Sequence, residues 1–344
     1  MRPMKIAPKL FSVAAAILRA GSASALAVMC AAFVALVATS TAAQTAPPTP
    51  PAELFTVKPL GRNVFAAIPN PGSGAGGNSG FIIGDDGVLV VDTFQTEAAA
   101  RQLVAAIKKQ TQLPIKFAVN THYHLDHVAG NAVLSEAGAA ILAQKNVRDW
   151  IHTENMKFFA TPTDAQKALV ANLHAPDLVY DRGIDIFLGT KHIVIRYELG
   201  HTGGDSVIFI PDANVVFTGD LFWRHSLPNL IDASTEPMLS TLQSLVAAHP
   251  DAIFVPGHGD VATARDVTDF RGYIVAIRQF VGDARVQGLS GDAMAEKVSA
   301  QLKEKYGDWA IFDRFVKRNI ADTEAELNAK KKIPVPARDP AANP

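Results

Sequence analysis

The chain reads as an α/β sandwich: two sheets packed face to face, helices outside, strand ends meeting along one edge. Three observations predict it. Phe81–Asp92 (F-I-I-G-D-D-G-V-L-V-V-D) and Val207–Asp220 (V-I-F-I-P-D-A-N-V-V-F-T-G-D) repeat one plan of strand, turn, strand and aspartate. Each copy is followed by Thr-Glu opening a helix, Thr96-Glu97 or Thr235-Glu236, where Thr can cap and Glu suits the first turn. Each helix leads to a short apolar run, I-K-F-A-V or A-I-F-V, that ends on a histidine, His122 or His258. Two half-apolar sheets of one plan bury best against each other.

Ahead of this plan the chain is a different material. Arg2, Lys5, Lys9 and Arg19 form a basic start, Ala25–Ala38 is apolar, and Ser40-Thr-Ala-Ala43 offers small residues for cleavage before Gln44. That is the pattern of a secretory signal peptide over residues 1–43. The apolar run falls short of the about 20 residues a membrane span needs. The expectation is a periplasmic or secreted protein with no stable span after cleavage. The single cysteine, Cys30, lies in this segment behind Met29, too bulky for a lipoprotein cleavage site. A metal site in the mature chain must therefore use histidine and carboxylate, chemistry indifferent to an oxidising compartment. A net charge of -1 gives no basic excess, which argues against a nucleic-acid partner.

Residues 44–52, rich in Thr, Ala and Pro, read as a linker, and residues 53–262 as the main domain. Strand signals open it at F-T-V-K-P-L and N-V-F-A-A-I. Pro69–Gly80 is too glycine-rich for regular structure; it reads as a flexible hairpin tip or as a mobile flap over a site. No G-K-[ST] follows, so it is not a phosphate loop. After the first repeat, Leu113–Val119 is short, apolar and partly β-branched, a buried strand. His152–Pro176, with Met156, Phe158 and Phe159, reads as an amphipathic helical insertion near the site. Residues 263–332 read as a helical C-terminal extension: Arg265–Gln287, Asp292–Tyr306 and a short helix near Phe312. Residues 333–344 carry four prolines and read as a disordered tail.

The chemistry is concentrated in Asn120–Asn131, N-T-H-Y-H-L-D-H-V-A-G-N. His122, His124, Asp126 and His127 can each ligate a metal, and Asp126 can also move a proton. Neither an exposed turn nor a core strand asks for that density. Sites gather at the carboxyl ends of strands, and three further elements place donors there beside glycine: Gly200-His201-Thr202, Thr218-Gly219-Asp220 and Pro256-Gly257-His258. Zn²⁺ favours about four N/O ligands, so this set fits two adjacent ions. His122, His124 and His201 would hold the first, and Asp126, His127 and His258 the second. Asp220, with two oxygens, could bridge them. Two ions about 3.5–4 Å apart bring a shared water's pKa near 7. The same ligands accept Mn²⁺ or Fe²⁺.

On H-Y-H-L-D-H, G-H-T, T-G-D and P-G-H, in that order and spacing over roughly Asn63–Val261, the sequence resembles the metallo-β-lactamase superfamily. The resemblance implies an αββα four-layer sandwich, a dinuclear hydrolase site with the ligand assignment above, and a role for Asp92 at the end of an early strand. The commonest lactamase subclasses carry cysteine where Asp220 stands. Aspartate there is similar to glyoxalase II, lactonases and general hydrolases. The expected activity is cleavage of a small-molecule ester, lactone or thioester by metal-activated hydroxide, with Asp126 as catalytic proton handler. The alternatives are β-lactam hydrolysis, a zinc-binding protein without turnover, and oxygen chemistry at one iron, against which the full second ligand set argues.

Around the ligands, Tyr123 either faces the site or packs, Arg224 and Ser226 are candidate anion anchors, and His225 either touches substrate or is structural. His249, at a helix end, reads as a cap, and His192, at a strand start, as exposed. No feature of the sequence sets an oligomeric state.

Overall fold

The structure is a computed structural model that describes residues 52–334. The signal segment, Cys30, the linker up to residue 51 and the tail from residue 335 lie outside the described residues.

The first sheet has the spatial order β1 (Phe55–Gly61), β2 (Val64–Pro69), β3 (Ser79–Ile83), β4 (Val88–Val91), β5 (Ile115–Val119), β6 (Ala140–Gln144) and β7 (Leu178–Tyr180). It is an antiparallel meander as far as β4 and parallel from β4 to β7. The second has the order β12 (Ile253–His258), β11 (Val215–Trp223), β10 (Ser206–Ile210), β9 (Lys191–Tyr197) and β8 (Gly183–Leu188), antiparallel except for β11 with β12.

Strand alternation divides the apolar residues among the layers. Ile82, Leu89, Val91 and Val119 meet Ile193, Ile195, Ile208 and Phe217 between the sheets. Phe81, Val88, Val90 and Ala118 point the other way, against α1 (Glu97–Gln110) and α3 (Asn131–Glu136). Val207, Val216 and Phe254 face α6 (Thr235–Ala248) and the C-terminal helices. The result is the four-layer αββα sandwich that the repeat implied.

The two helix starts differ in detail. Thr96 caps α1, its side chain accepting from the Ala99 amide. Thr235 instead lies inside α6 behind Ser234, and its hydroxyl bonds to Glu326 at 2.9 Å. That bond ties α6 to the extension, which comprises α7 (Ala264–Val286), α8 (Gly291–Tyr306) and α9 (Phe312–Leu327). The last helix has 16 residues and is not short. Phe312, Val316 and Ile320 recur at four-residue spacing and bury one face of it, which sustains four turns despite the charged remainder. The extension shares one core with α6 and β11. In the insertion, a 3₁₀ turn (Glu154–Phe158) and α5 (Asp164–Ala171) are separate, with Pro162 between them and Thr163 closing a capping box with Gln166. Among the described residues no helix is long and apolar enough to cross a membrane.

Candidate metal centre

β5 delivers the histidine run to the sandwich edge. Asn120 and Asn131, which bracket the run, exchange amide hydrogen bonds of 2.9 and 2.8 Å and clamp the loop shut. Between them α2 (Leu125–Val128) is a single turn that presents Asp126 and His127. The second sheet brings His201 after β9, Asp220 on β11 and His258 at the end of β12.

The structure brings all seven predicted donors together. His122, His124, His201 and Asp220 form one group, and Asp126, His127 and His258 another, with the donor atoms of each group within 4.8 Å of one another. Asp220 faces both. Its Oδ2 lies 3.2 Å from His201 Nε2 and 3.6 Å from His122 Nε2. Its Oδ1 lies 3.1 Å from His127 Nε2 and 3.5 Å from His258 Nε2. Asp126 Oδ2 is 3.1 Å from His258 Nε2. Room for this carboxylate depends on Gly257, where a Cβ would fall 1.9 Å from Asp220 Oδ1.

Surrounding oxygens fix which ring nitrogen faces inward. Asp92 Oδ2 accepts from His127 Nδ1–H at 2.8 Å and from the Thr121 hydroxyl at 2.7 Å. The Thr121 oxygen then accepts from His122 Nδ1–H at 3.0 Å. In the neutral rings of His122 and His127 the lone pair is thereby on Nε2. Asp92 adopts a left-handed φ of 55°, a conformation unusual outside glycine, and its own backbone oxygen is held by Ser79. His124 is turned the other way. Its Nε2–H donates to Asp232 Oδ2 at 3.0 Å, so Nδ1 faces inward, 3.0 Å from His201 Nε2.

These inward atoms fit metal ions. His122 Nε2, His127 Nε2, His258 Nε2 and Asp220 Oδ1 are buried without a hydrogen-bond partner. So many orphaned polar atoms in one place are costly unless a ligand satisfies them. The electrostatics agree. Burial, then the neighbouring His127, hold His122 well below the ordinary imidazole value, and burial lowers His124. Both are neutral donors. Burial would lower His127 and His258 too, but the carboxylates around them outweigh it; His127 is held well above its usual value and His258 is pushed up to about 9. Burial would raise Asp126 and Asp220, yet the facing histidines hold both below the usual carboxylate range. The second group thus shares protons that metal ions would replace.

Residues 72–258 match the sequence profile of the family described as the metallo-beta-lactamase superfamily, a stretch that is more than half of the chain and contains all seven donors. The chain belongs to the metallo-β-lactamase superfamily. Within the superfamily, it is 28% identical over 178 residues to proteins named hydroxyacylglutathione hydrolase from Brucella ovis and Brucella abortus. The match covers 50% of this chain and 61% of theirs, so the chain spans less than two thirds of the length of these curated relatives. The metallo-beta-lactamase from Pontibacter korlensis superposes with a TM-score of 0.54 at 18% identity, over 64% of this chain and 99% of that one. That likeness establishes the sandwich fold of the superfamily here.

A cleft of about 1010 Å³ opens onto the donors, with His124, Asp126, Asp220 and His258 in its wall. The predicted substrate contacts lie elsewhere. Tyr123 is fully buried and donates to Asp232 Oδ2 at 2.7 Å. Arg224 turns away from the cleft to Asp266 at 3.2 Å and to the Val261 carbonyl. His225, with a side chain 64% exposed, stacks near Trp309. Ser226 is buried and bonds to the Ala310 carbonyl. Of the residues that do line the cleft, sequence reading set Phe158 and Phe159 near the site but missed Trp223 and Arg314. The Trp223 ring lies 3.9 Å from that of His258, and the Arg314 guanidinium lies 5.2 Å from the Phe315 ring. Asp232 was missed as well. The glycine-rich loop packs onto the site: the Gly77 amide donates to the Asp126 carbonyl, and the Asn78 side chain to the carbonyls of Pro256 and Gly259. That anchoring favours neither a free tip nor a hanging flap.

Proposed function

We propose that this superfamily member is an exported dinuclear zinc hydrolase that cleaves an acyl bond, an ester, lactone or thioester, in a small molecule. The observation that carries the reading is Asp220, whose two oxygens each face a different histidine group while Asp126 stands beside them in the cleft. His122, His124 and His201 would hold one ion, Asp126, His127 and His258 the other, and Asp220 both. When bound, the ions supply Lewis acidity toward a carbonyl oxygen and water acidified to a pKa near 7.

The protein's own residues do the rest. Asp126, 27% exposed at its side chain, is the carboxylate placed to take a proton from the attacking water and return it to the departing oxygen or sulfur. Phe158, Phe159, Leu169, Trp223, Ile311 and Phe315 make an apolar wall that excludes water and seats an acyl or aryl body. Arg314 stands in that wall with no ion-pair partner among the described residues and suits an anionic end of the substrate. Relatives named for hydrolysing a hydroxyacylglutathione support the acyl class. Asp126 and Asp220 together place two carboxylates at the second group, surroundings that disfavour the anionic nitrogen a β-lactam must expel.

A parallel hydrolysis screen of lactones, thioesters, activated esters and β-lactams tests this. For at least one of the first three, kcat/KM should exceed that for any penicillin or cephalosporin by about tenfold, or about 1.4 kcal/mol. A β-lactam as the best substrate overturns the acyl assignment. Export is tested by the mass of the mature protein, which should begin near Gln44; active material that retains Met1 and sediments with membranes overturns it.

A further inference from the structure

Asp232 lies outside both donor groups, yet three side chains converge on it. It is 1% exposed, in the loop before α6. Its Oδ2 accepts from His124 Nε2–H at 3.0 Å and from the Tyr123 hydroxyl at 2.7 Å. Its Oδ1 is held by Lys157, whose ammonium also pairs with Glu154 at 2.8 Å. Lys157 belongs to the 3₁₀ turn of the insertion. The next residue, Phe158, sets its ring edge-on to His124 with centroids 4.9 Å apart, and Phe158 and Phe159 line the cleft. A buried carboxylate bonded to an inward-facing histidine on one side and, on the other, to the lysine next to the cleft-lining Phe158 holds both in register.

We infer that Asp232 is the positioning residue of the first donor group: it holds His124 with Nδ1 inward and, through Lys157, ties the Glu154–Phe158 wall to that ligand. Loading of the first group and ordering of the wall therefore rise and fall together. The inference rests on the reading of the donors as a metal centre and goes beyond it in assigning a residue and a coupling. The chemistry of the tie is specific to a carboxylate. An Asn at position 232 keeps the shape, but its amide can donate to His124 Nε2. The ring proton then moves to Nδ1, where it blocks the lone pair.

The test titrates Zn²⁺ alone into metal-stripped full-length protein against a chromophoric chelator, and follows amide hydrogen exchange over 154–171. In the wild type two ions bind, and removing them quickens exchange in the wall. Asp232→Asn should weaken one of the two ions by about 10–100-fold and leave the other within about threefold. In a His258→Ala background, which leaves the first group as the intact one, Asp232→Asn should weaken the remaining ion. Lys157→Met preserves the bonds to Tyr123 and His124; it should leave Zn²⁺ affinity within about threefold while exchange in the wall becomes fast with or without metal. Equal loss of both ions, or none, in Asp232→Asn overturns the inference. So does wall exchange in Lys157→Met that still follows metal as in the wild type, a readout that stands even if Asp232→Asn fails to fold. A wild-type protein that binds no Zn²⁺ sinks the metal-centre reading itself, whereas two ions in the wild type with an unresponsive Asp232→Asn sinks only this inference.

Discussion

Gly257→Ala should remove one ion and leave the other. The added Cβ would sit 1.9 Å from Asp220 Oδ1, whereas ordinary contact begins near 3.4 Å. The oxygen must retreat by about 1.5 Å, and metal–ligand bonds tolerate only about 0.2 Å. Oδ1 is the oxygen that faces His127 and His258, so the loss should fall on the second group, while Oδ2 stays near His122 and His201. Gly257 is not among the residues with left-handed φ, so alanine suits its own backbone, but the Cβ would also meet the Asp220 amide nitrogen and the Gly219 carbonyl carbon at 2.8 Å, and β11 must give slightly too. Overpacking of this kind costs about 1–3 kcal/mol, which a domain of this size survives. Elemental analysis should fall from about two ions per chain to about one. Turnover should drop by about 10²-fold or more, as for a misplacement of about 1 Å at a reacting centre. A folded Gly257→Ala protein that keeps two ions and turns over within threefold of the wild type would refute the bridging geometry.

Asp126→Asn keeps an oxygen but loses the base; kcat should fall by about 10²–10⁴ with KM little changed, and steady-state kinetics on the best substrate decide it. The pH dependence of the metal-free protein follows from His258, held at about 9 against an ordinary 6.5. Its proton stabilises the metal-free fold fully below pH 6.5, and that contribution is lost as pH rises through about 9. Thermal melts with chelator should therefore show Tm falling across that window, while metal-loaded protein, in which the ion replaces the proton, holds its Tm; parallel slopes would contradict the assignment. Arg314→Ala should raise KM about tenfold for a carboxylated substrate and leave its neutral analogue unchanged, whereas Arg224→Ala should lower stability by about 1 kcal/mol without distinguishing the two. Equal effects of Arg314→Ala on both substrates would remove Arg314 as an anion anchor.

The layers were legible because each apolar run is short, alternates its faces and ends in turn residues. The donors were legible because four crowd into one run after a strand and the other three, His201, Asp220 and His258, stand beside glycine at strand ends. The cleft was not. Counting by two along β11 puts Arg224 on the same face as Asp220, but the pairing of β11 with β12 shifts register between Gly219 and Trp223. β11 gains two residues on β12 there, so its end is irregular and counting by two fails: Trp223 turns toward His258 and Arg224 toward Asp266. Asp232 gives no local signal, because its partners are 75 to 109 residues away in sequence. Arg314 lies in the first turn of α9, and only the docking of that helix start against the cleft reveals it. The one discernible hint was Ile311-Phe312, apolar residues ahead of a charged run.

Both donor groups draw from both sheets: His122, His124, Asp126 and His127 come from the loop after β5, and His201, Asp220 and His258 from the second sheet. Neither half of the chain owns a finished site. The first half emerges from the ribosome carrying four donors in six consecutive residues, enough to snatch a stray ion loosely, but selective capture must wait until the two halves have closed. On the proposed metal centre, the choice of ion would then fall late, after the two halves have met. If the donors hold ions as proposed, metal identity would become a record of the solution in which the chain closed.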